Sequence, residues 1–408
     1  RAHRVALKRS QGLASDLRVA FNGLLSDPPV KKKRSKNLGR RSSSGKTTCI
    51  AKTSNTNGTS TATGANNQPS ASASASGTSK TAAGTGTSKT ATATSAATTS
   101  TATSNFKVAQ SYTGSDFWNK WDFFTSSDPT GGTVTYVDSS TAQSEGLVSV
   151  TSNGSAILKV DTTGVVTGGR KSVRITTQYT FNGGLVILDA THMPTGCGTW
   201  PAFWTNGPNW PTTGEIDIVE GVNEYTENQA TIHTSSGCTI SSSGLSSLLT
   251  GSLIGQTNCD ATATNNQGCG IRDSRTNSFG AGFNNIGGGV YSMLWDSNGV
   301  SVWFFPRSSI PSDITAGAPI PSSWGTPMAF WSANSCNPST FFSDHSAIFD
   351  TTFCGDWAGQ VWNVQNVAGQ SQSCAAITGA ATCSDYVLNN GAAFSEAYWE
   401  VNSVKIYQ

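Results

Sequence analysis

The stretch Gly214-Glu215-Ile216-Asp217-Ile218-Val219-Glu220-Gly221 decides how the chain is interpreted, because it sets three carboxylates among β-branched apolar residues. Such residues favour strands. Alternate side chains of a strand share one face, so Glu215 and Asp217 point away from Ile216 and Ile218. Strict alternation would put Glu220 in the apolar layer, where an unpaired carboxylate is costly. We therefore predict a β-bulge near residues 218–219 that returns Glu220 to the acidic face.

Two carboxyl groups on one strand face suit glycoside hydrolysis. A retaining enzyme needs a nucleophilic carboxylate and a protonated acid about 5–5.5 Å apart. Crowding three carboxyl groups raises the pKa of at least one of them, which supplies the neutral acid. A solvated acidic face and a calcium site are the structural alternatives for the same three residues.

The residues just before the acids favour a glycan cleft over those alternatives. Trp200, Trp204 and Trp210 are clustered there. Flat aromatic rings pack well against the apolar faces of pyranose rings. A tryptophan is also a common core residue, so the prediction rests on the three together with the acids.

The surrounding residues 105–408 have the pattern of an all-β sandwich. Short runs rich in Val, Ile, Phe, Trp and Tyr are interrupted by Gly, Pro, Asn and Ser, and sustained helical periodicity is absent. The predicted strands are 133–138, 156–161, 172–179, 184–190, 215–220, 229–234, 290–295, 300–306 and 398–407.

The first 104 residues differ in composition and divide into two segments. Residues 1–46 carry 13 Lys and Arg against two Asp. We interpret this basic segment as a pro-segment that is cut after a dibasic pair. The alternatives are polyanion binding, nuclear import and a plain solvated tail. Residues 47–104 contain no acid, and half of residues 51–104 are Ser or Thr. We expect them to form a disordered, O-glycosylated linker, with an unmodified linker as the alternative.

Cysteine usage indicates an oxidising compartment. Eight of the nine cysteines lie in residues 105–408, which suggests up to four disulfides in a secreted protein, with the pairing open. The absence of a C-x-x-C pair and the four histidines argue against zinc, so we expect no metal and no cofactor. No apolar run approaches ~18 residues, so we expect no membrane span. In a secreted chain, Asn57 and Asn153 would accept N-glycans.

Several stretches together resemble a known family. Glu215-Ile216-Asp217-Ile218-Val219-Glu220, followed by Gly221-Val222-Asn223, resembles the signature of glycoside hydrolase family sixteen. The flanks are similar to its fungal laminarinase branch, the endo-1,3(4)-β-glucanases. They are Trp118-Asn119-Lys120-Trp121-Asp122-Phe123-Phe124, His192-Met193-Pro194-Thr195-Gly196-Cys197-Gly198-Thr199-Trp200, 287–291 and 394–407. The resemblance spans nearly all of residues 105–408 and none of residues 1–104.

The resemblance implies a β-jelly-roll of two curved antiparallel sheets, one of which carries an open glycan cleft. By motif position, Glu215 would be the nucleophile and Glu220 the general acid/base. Asp217 would hydrogen-bond the nucleophile and tune it.

Five further side chains are candidate substrate-binding residues. They are Trp200, Trp204 and Trp210 with His233 and Arg174. The resemblance places His233 in the cleft, and a structural role is the alternative for a lone histidine. Arg174 could reach a sugar hydroxyl, with a surface salt bridge as its alternative.

The expected protein is a secreted or cell-wall monomer that hydrolyses 1,3- or mixed 1,3/1,4-β-glucans with retention. Its partner would be the β-glucan. Residues 105–408 carry 10 basic against 22 acidic residues, which argues against a nucleic acid. A transglycosylase of the same fold is one alternative. A non-catalytic β-glucan-binding module is another, and the intact acids argue against it.

Overall fold

The computed structural model describes residues 103–241 and 243–408. The predicted basic segment 1–46 lies outside the described residues, as does the predicted linker 47–104 except for its last two residues. Within the described part, the chain forms two eight-stranded sheets and a two-stranded pair.

The strands account for most of the regular structure. They are β1 Val108–Thr113, β2 Trp121–Phe123, β3 Val134–Tyr136, β4 Val148–Val150, β5 Ala156–Lys159, β6 Arg170–Ser172, β7 Arg174–Thr177, β8 Gly184–His192, β9 Thr199–Asn206, β10 Glu215–Glu220, β11 Gln229–His233, β12 Ser252–Ile254, β13 Cys269–Arg272, β14 Gly289–Asp296, β15 Gly299–Pro306, β16 Ala329–Ser332, β17 Ser346–Phe353 and β18 Tyr398–Tyr407. Each of the nine predicted strand segments overlaps one or more of these strands.

The helices in the described part are short. The α-helices are α1 Ser139–Ser144, α2 Gly280–Asn285, α3 Ser312–Thr315, α4 Pro338–Phe341, α5 Cys374–Thr378 and α6 Cys383–Asn389. Among residues 103–241 and 243–408, no helix has both the length and the apolar character that a membrane crossing requires.

The two large sheets are antiparallel throughout. The first, which we call the outer sheet, has the order β16-β15-β14-β8-β18-β5-β4, and β1 also pairs with β18. The second, which we call the acid-bearing sheet, has the order β12-β13-β11-β10-β9-β17-β7-β2. β3 and β6 form a separate parallel pair. The predicted all-β sandwich is therefore confirmed.

The main core lies between the two sheets. The acid-bearing sheet contributes side chains that are fully buried, among them Ile175, Phe203, Ile216, Ile232 and Phe349. They join one cluster with residues of the outer sheet such as Val186, Leu188, Tyr291 and Met293. Because one face of each central strand is used for this core, the opposite face of the acid-bearing sheet is left for polar groups.

Four disulfides pair the eight cysteines of the described part, as the sequence suggested. The bridges are Cys197–Cys374, Cys238–Cys336, Cys259–Cys269 and Cys354–Cys383. The first and last attach the helical segment of α5 and α6 to chain next to β9 and β17. The segment that contains α5 and α6 is thereby fixed to the ends of β9 and β17 in the acid-bearing sheet.

Reduction of the disulfides should destabilise the domain strongly. Two bridges join residues 177 and 98 positions apart, and a 100-residue loop corresponds to about 4.7 kcal/mol in the chain-entropy model. Typical net stabilities are ~5–15 kcal/mol. We expect reductant to lower the thermal midpoint by roughly 10 °C or more, and a chelator to leave the midpoint unchanged.

Thiol titration of the denatured, unreduced chain provides the control for that experiment. Since eight of nine cysteines are bridged, only Cys49 can contribute a thiol. Several titratable thiols per chain would contradict the four bridges.

Candidate active site

The bulge that the sequence predicts is present in β10. In the pairing of β10 with β9, Asp217 lies opposite Trp204 and Val219 lies opposite Phe203, so β10 advances by two residues while β9 advances by one. Ile218 is the extra residue. The ladder to β11 is also irregular, between Asp217 and Glu220. The third acid thus returns to the polar side of the sheet.

The bulge separates the acids from the core. Ile216 and Val219 of the same strand are fully buried in the main cluster. Glu215 and Glu220 remain partly exposed, whereas Asp217 between them is buried. Asp217 interacts electrostatically with both glutamates. The three carboxyl groups are therefore close neighbours on one face.

Glu220 is held at its side chain and at its backbone. Nε1 of Trp200 donates a hydrogen bond to Oε1 of Glu220 at 2.9 Å. The backbone N–H of Glu220 donates to Oδ1 of Asn228 at 3.0 Å. At the next position, a Cβ on Gly221 would lie 2.8 Å from the ring of Phe279. Only glycine lets the chain leave the strand here without displacing that buried ring.

Glu215 and Asp217 form a compact group with His233. His233 is opposite Glu215 in the ladder between β10 and β11, and its Nε2 lies 3.3 Å from Oδ2 of Asp217. One potential ligand atom from each of the three residues lies within 4.8 Å of the others. Of the described residues, these are the ones that could hold a metal ion. The same proximity suits acid–base chemistry, because carboxyl groups so close do not all ionise near neutral pH.

The surroundings shift the pKa values of all three acids upward. Desolvation, followed by the charge of Asp217, raises the pKa of Glu215 to about 8, while His233 and the Trp210 indole oppose that rise. Desolvation raises the pKa of Asp217 as well. Glu220 has a pKa well above its ordinary value, mainly from desolvation and then from the charge of Asp217. The site therefore retains protons at neutral pH.

The three predicted tryptophans all lie at the acids but expose little ring surface. Trp200, Trp204 and Trp210 are each more than nine-tenths buried. Trp200 binds Glu220, and Trp204 donates from Nε1 to Asp350 at 3.2 Å. The indole of Trp210 lowers the pKa of Glu215. In this structure the indoles act mainly by holding and tuning carboxylates.

Arg174 lies on the same sheet, in β7, which is separated from β10 by β9 and β17. Its guanidinium carbon is 4.5 Å from the ring centre of Phe124 and 5.0 Å from that of Trp204. It pairs along the ladder with Asp350, whose carboxylate also accepts a hydrogen bond from Tyr136 at 3.1 Å. Arg174 is buried, so the alternative interpretation as a surface salt bridge is wrong.

Sequence reasoning misses two polar residues of the site. Asp350 lies in β17, where every residue is buried, so no alternation marks its face. An acid within a run of apolar and Thr residues is nevertheless a signal that could have found it. Asn228 has no comparable signal, because its role depends on the bulge beside it.

Comparison with known families decides the classification. The model of the XgeA-like, catalytic GH16 domain matches residues 121–407. The chain belongs to glycoside hydrolase family 16. The resemblance seen in the sequence is thus confirmed, as is the jelly-roll expected from it.

Relatives and solved structures match the GH16 domain over most of its length. A probable endo-1,3(4)-β-glucanase of Aspergillus niger is 46% identical over 309 residues, which are 75% of this chain and 40% of that protein. The chain thus spans less than half of that relative. Laminarinase 16A from Phanerochaete chrysosporium, with β-glucans in donor and acceptor sites, is 38% identical with a TM-score of 0.68, covering 74% of this chain and 99% of that chain.

A second solved structure differs from the first in its named activity. It is an elongating GH family 16 β-1,3-glucosyltransferase, 40% identical to this chain with a TM-score of 0.66. It covers 74% of this chain and all of the other. Hydrolysis and transfer are thus both found among proteins similar to this GH16 domain.

The raised pKa values predict how stability depends on pH. The pKa of Asp217 is higher in the folded chain than its ordinary value of 3.8. Between that value and about pH 8 the folded state binds more protons than the unfolded state, so the acids destabilise the fold increasingly as pH rises. Asp217→Asn should therefore raise the thermal midpoint near pH 8 by a few degrees, since about 1 kcal/mol corresponds to roughly 2–4 °C.

The same variant near pH 4 is its own control. There the wild-type carboxyl groups are largely protonated, so differential scanning calorimetry should find the two midpoints within about 1 °C. A variant that is less stable than the wild type at pH 8 would show that Asp217 stabilises the fold as an ion.

Proposed function

We propose that this GH16 domain is a retaining endo-β-glucanase acting on 1,3- or mixed 1,3/1,4-β-glucans. The observation that carries the proposal is the bulged β10, which sets Glu215 and Glu220 on one face with Asp217 between them. Double displacement at a sugar requires two neighbouring carboxyl groups, one ionised as the nucleophile and one protonated as the acid.

In this mechanism Glu215 is the nucleophile. Its carboxylate attacks the anomeric carbon and forms a glycosyl-enzyme ester as the glycosidic oxygen leaves. Desolvation and the charge of Asp217 raise the pKa of Glu215 to about 8, and His233 and the Trp210 indole limit that rise. The carboxyl group must therefore release its proton before it attacks. Asp217 lies beside Glu215 and shares a hydrogen bond with it.

Glu220 is the general acid/base. It protonates the leaving oxygen in the first step and takes a proton from water in the second. Its pKa is raised well above the ordinary value by desolvation and by the charge of Asp217, which keeps it protonated before the first step. The Trp200 indole fixes its Oε1.

Arg174 and the tryptophans would bind the glycan beside the acids. Arg174 and Asp350 offer a donor and an acceptor on the same sheet as the acids. The ring of Trp204 packs under Arg174 and shapes this end of the face. Basic residues are few in residues 105–408, which suits a neutral polysaccharide rather than an acidic one.

We also propose that the enzyme is secreted, to the medium or the cell wall, as a monomer. Four disulfides support an oxidising compartment. Asn153 of the sequon is exposed in the turn between β4 and β5, which fits an N-glycan.

Transglycosylation is the second candidate function. It is favoured by the similarity to the elongating β-1,3-glucosyltransferase. The two functions share the glycosyl-enzyme and differ only in whether water or a sugar hydroxyl attacks it. A non-catalytic β-glucan-binding module is less favoured, since binding alone needs no proton-retaining carboxyl cluster.

Product analysis tests the proposed function. The full chain is incubated with laminarin and with mixed-linkage glucan, with and without an acceptor oligosaccharide. We expect reducing ends to accumulate in both conditions, with β-anomers formed first. Products longer than the acceptor, without net new reducing ends, would instead assign transglycosylation. Binding without any change in chain length would assign the binding module.

Glu215→Gln tests the assignment of the nucleophile. The amide cannot form the ester, so kcat on laminarin should fall by several orders of magnitude while substrate binding is retained. Glu400→Gln in β18 of the outer sheet is the matched control, and its kcat should be unchanged. Residual activity above one-tenth of wild type in Glu215→Gln would rule out Glu215 as the nucleophile.

A further inference from the structure

Asn228 is a fully buried amide directly beside the bulge. It lies between β10 and β11 and is 0% exposed. Its Nδ2 donates a hydrogen bond to the carbonyl of Ile218 at 3.0 Å. Its Oδ1 accepts from the backbone N–H of Glu220 at 3.0 Å. One side chain thus binds the backbone at the bulged residue and at the third acid.

These two hydrogen bonds replace a missing part of the strand ladder. The pairing between β10 and β11 is interrupted between Asp217 and Glu220, which leaves Ile218 and Val219 without partner residues on β11 and lets the pairing resume only at Glu220. Ile218 is itself buried. A buried backbone group without a partner costs about 1–3 kcal/mol. By binding the Ile218 carbonyl and the Glu220 N–H, the Asn228 amide removes this energetic cost of the bulge.

Asn228 is in turn fixed by its own backbone. Its N–H donates to Oγ of Ser278 at 2.9 Å. Its carbonyl accepts from the N–H of Asp273 at 2.8 Å. The hydroxyl of Ser278 donates onward to the carbonyl of Arg275 at 2.7 Å. The backbone of Asn228 consequently cannot move away from β10 without breaking these hydrogen bonds, which holds the base of the side chain beside the bulge.

We propose that Asn228 is the positioning residue of Glu220, setting where its carboxyl group lies by closing the bulge from the β11 side. This rests on the proposed function, in which Glu220 is the acid/base. Trp200 fixes the carboxyl end of Glu220 and Asn228 fixes its backbone. Asn228 itself touches no reacting atom.

Removing the amide should impair proton transfer more than nucleophilic attack. A misplacement of about 1 Å can cost about 100-fold in rate, and general acid–base catalysis supplies about 10²–10⁴-fold. Asn228→Ala should therefore lower kcat on laminarin by about 100-fold with KM nearly unchanged. The first step on a dinitrophenyl β-laminaribioside needs no proton for its leaving group, so its rate should fall less than about tenfold.

Azide distinguishes a displaced acid/base from a damaged fold. Azide attacks the anomeric carbon of the glycosyl-enzyme and releases the Glu215 carboxylate without needing a general base. We expect azide to accelerate turnover of the dinitrophenyl substrate in Asn228→Ala and to leave the wild type unchanged. A variant with a generally damaged site would lose activity on laminarin and on the dinitrophenyl substrate to the same extent, and azide would not accelerate its turnover. That result would overturn the proposal.

Two further variants keep the test decisive. Asn228→Asp retains the acceptor for the Glu220 N–H but sets an oxygen against the Ile218 carbonyl, and should show the same substrate selectivity and azide response. Gln370→Ala removes another buried amide, which binds the Glu224 N–H and the Val364 carbonyl at 3.0 and 3.1 Å. It should leave the ratio of the two activities unchanged.

The outcomes separate this inference from the proposed function. A wild-type chain without activity on either substrate would refute the proposed function. An active wild type with an unaffected Asn228→Ala would refute the role of Asn228 alone. Failure of both Asn228 variants to fold, judged by circular dichroism, would make Asn228 a structural residue and would also overturn it.

Discussion

The acidic face depends on one extra residue in β10. A strand alternates its side chains, so acids at positions 215, 217 and 220 cannot share a face unless one residue is inserted. Ile218 is that residue. The insertion keeps Ile216 and Val219 in the core while Glu220 returns to the polar side. Hydrophobic packing and chemistry are therefore compatible only because the ladder is broken at this point.

The low dielectric surroundings of the three acids raise their pKa values. Trp200, Trp204 and Trp210 are buried against the acids and exclude much of the water that would stabilise their charges. Each carboxyl group consequently titrates higher than it would in solvent. His233 lowers the pKa of both glutamates, whereas the Trp210 indole acts on Glu215 and the Trp200 indole on Glu220. Two chemically identical side chains thereby acquire different proton affinities.

The sequence was informative where the constraint is local. The conflict between alternation and the third acid is contained in eight residues, so the bulge could be predicted from them. β9 is absent from the predicted strands, and it contains Pro201, a residue type that is uncommon in central strands. The ladder between β9 and β10 ends at Ala202, so Pro201 lies just beyond it. β17 was missed because all of its residues are buried, which removes the alternation that marks a strand.

Long-range partners could not be derived in the same way. Eight cysteines allow 105 pairings, and the bridge between Cys197 and Cys374 joins residues 177 positions apart. Asp350 reaches Trp204 only because β17 pairs with β9. Asn228 acquires its role only from the gap that the bulge leaves in the ladder. Such contacts follow from topology, which composition and spacing do not specify.

The fixed backbone at β10 also affects how such a domain can diversify. The spacing of the acids is set within the sheet. The chain that follows β11 is cross-linked separately, by Cys238–Cys336 and, between β12 and β13, by Cys259–Cys269. Insertions in the cross-linked segments would reshape the rim of the face without disturbing the strand that carries the acids. The shape of the rim and the spacing of the acids are thus separable features of this fold.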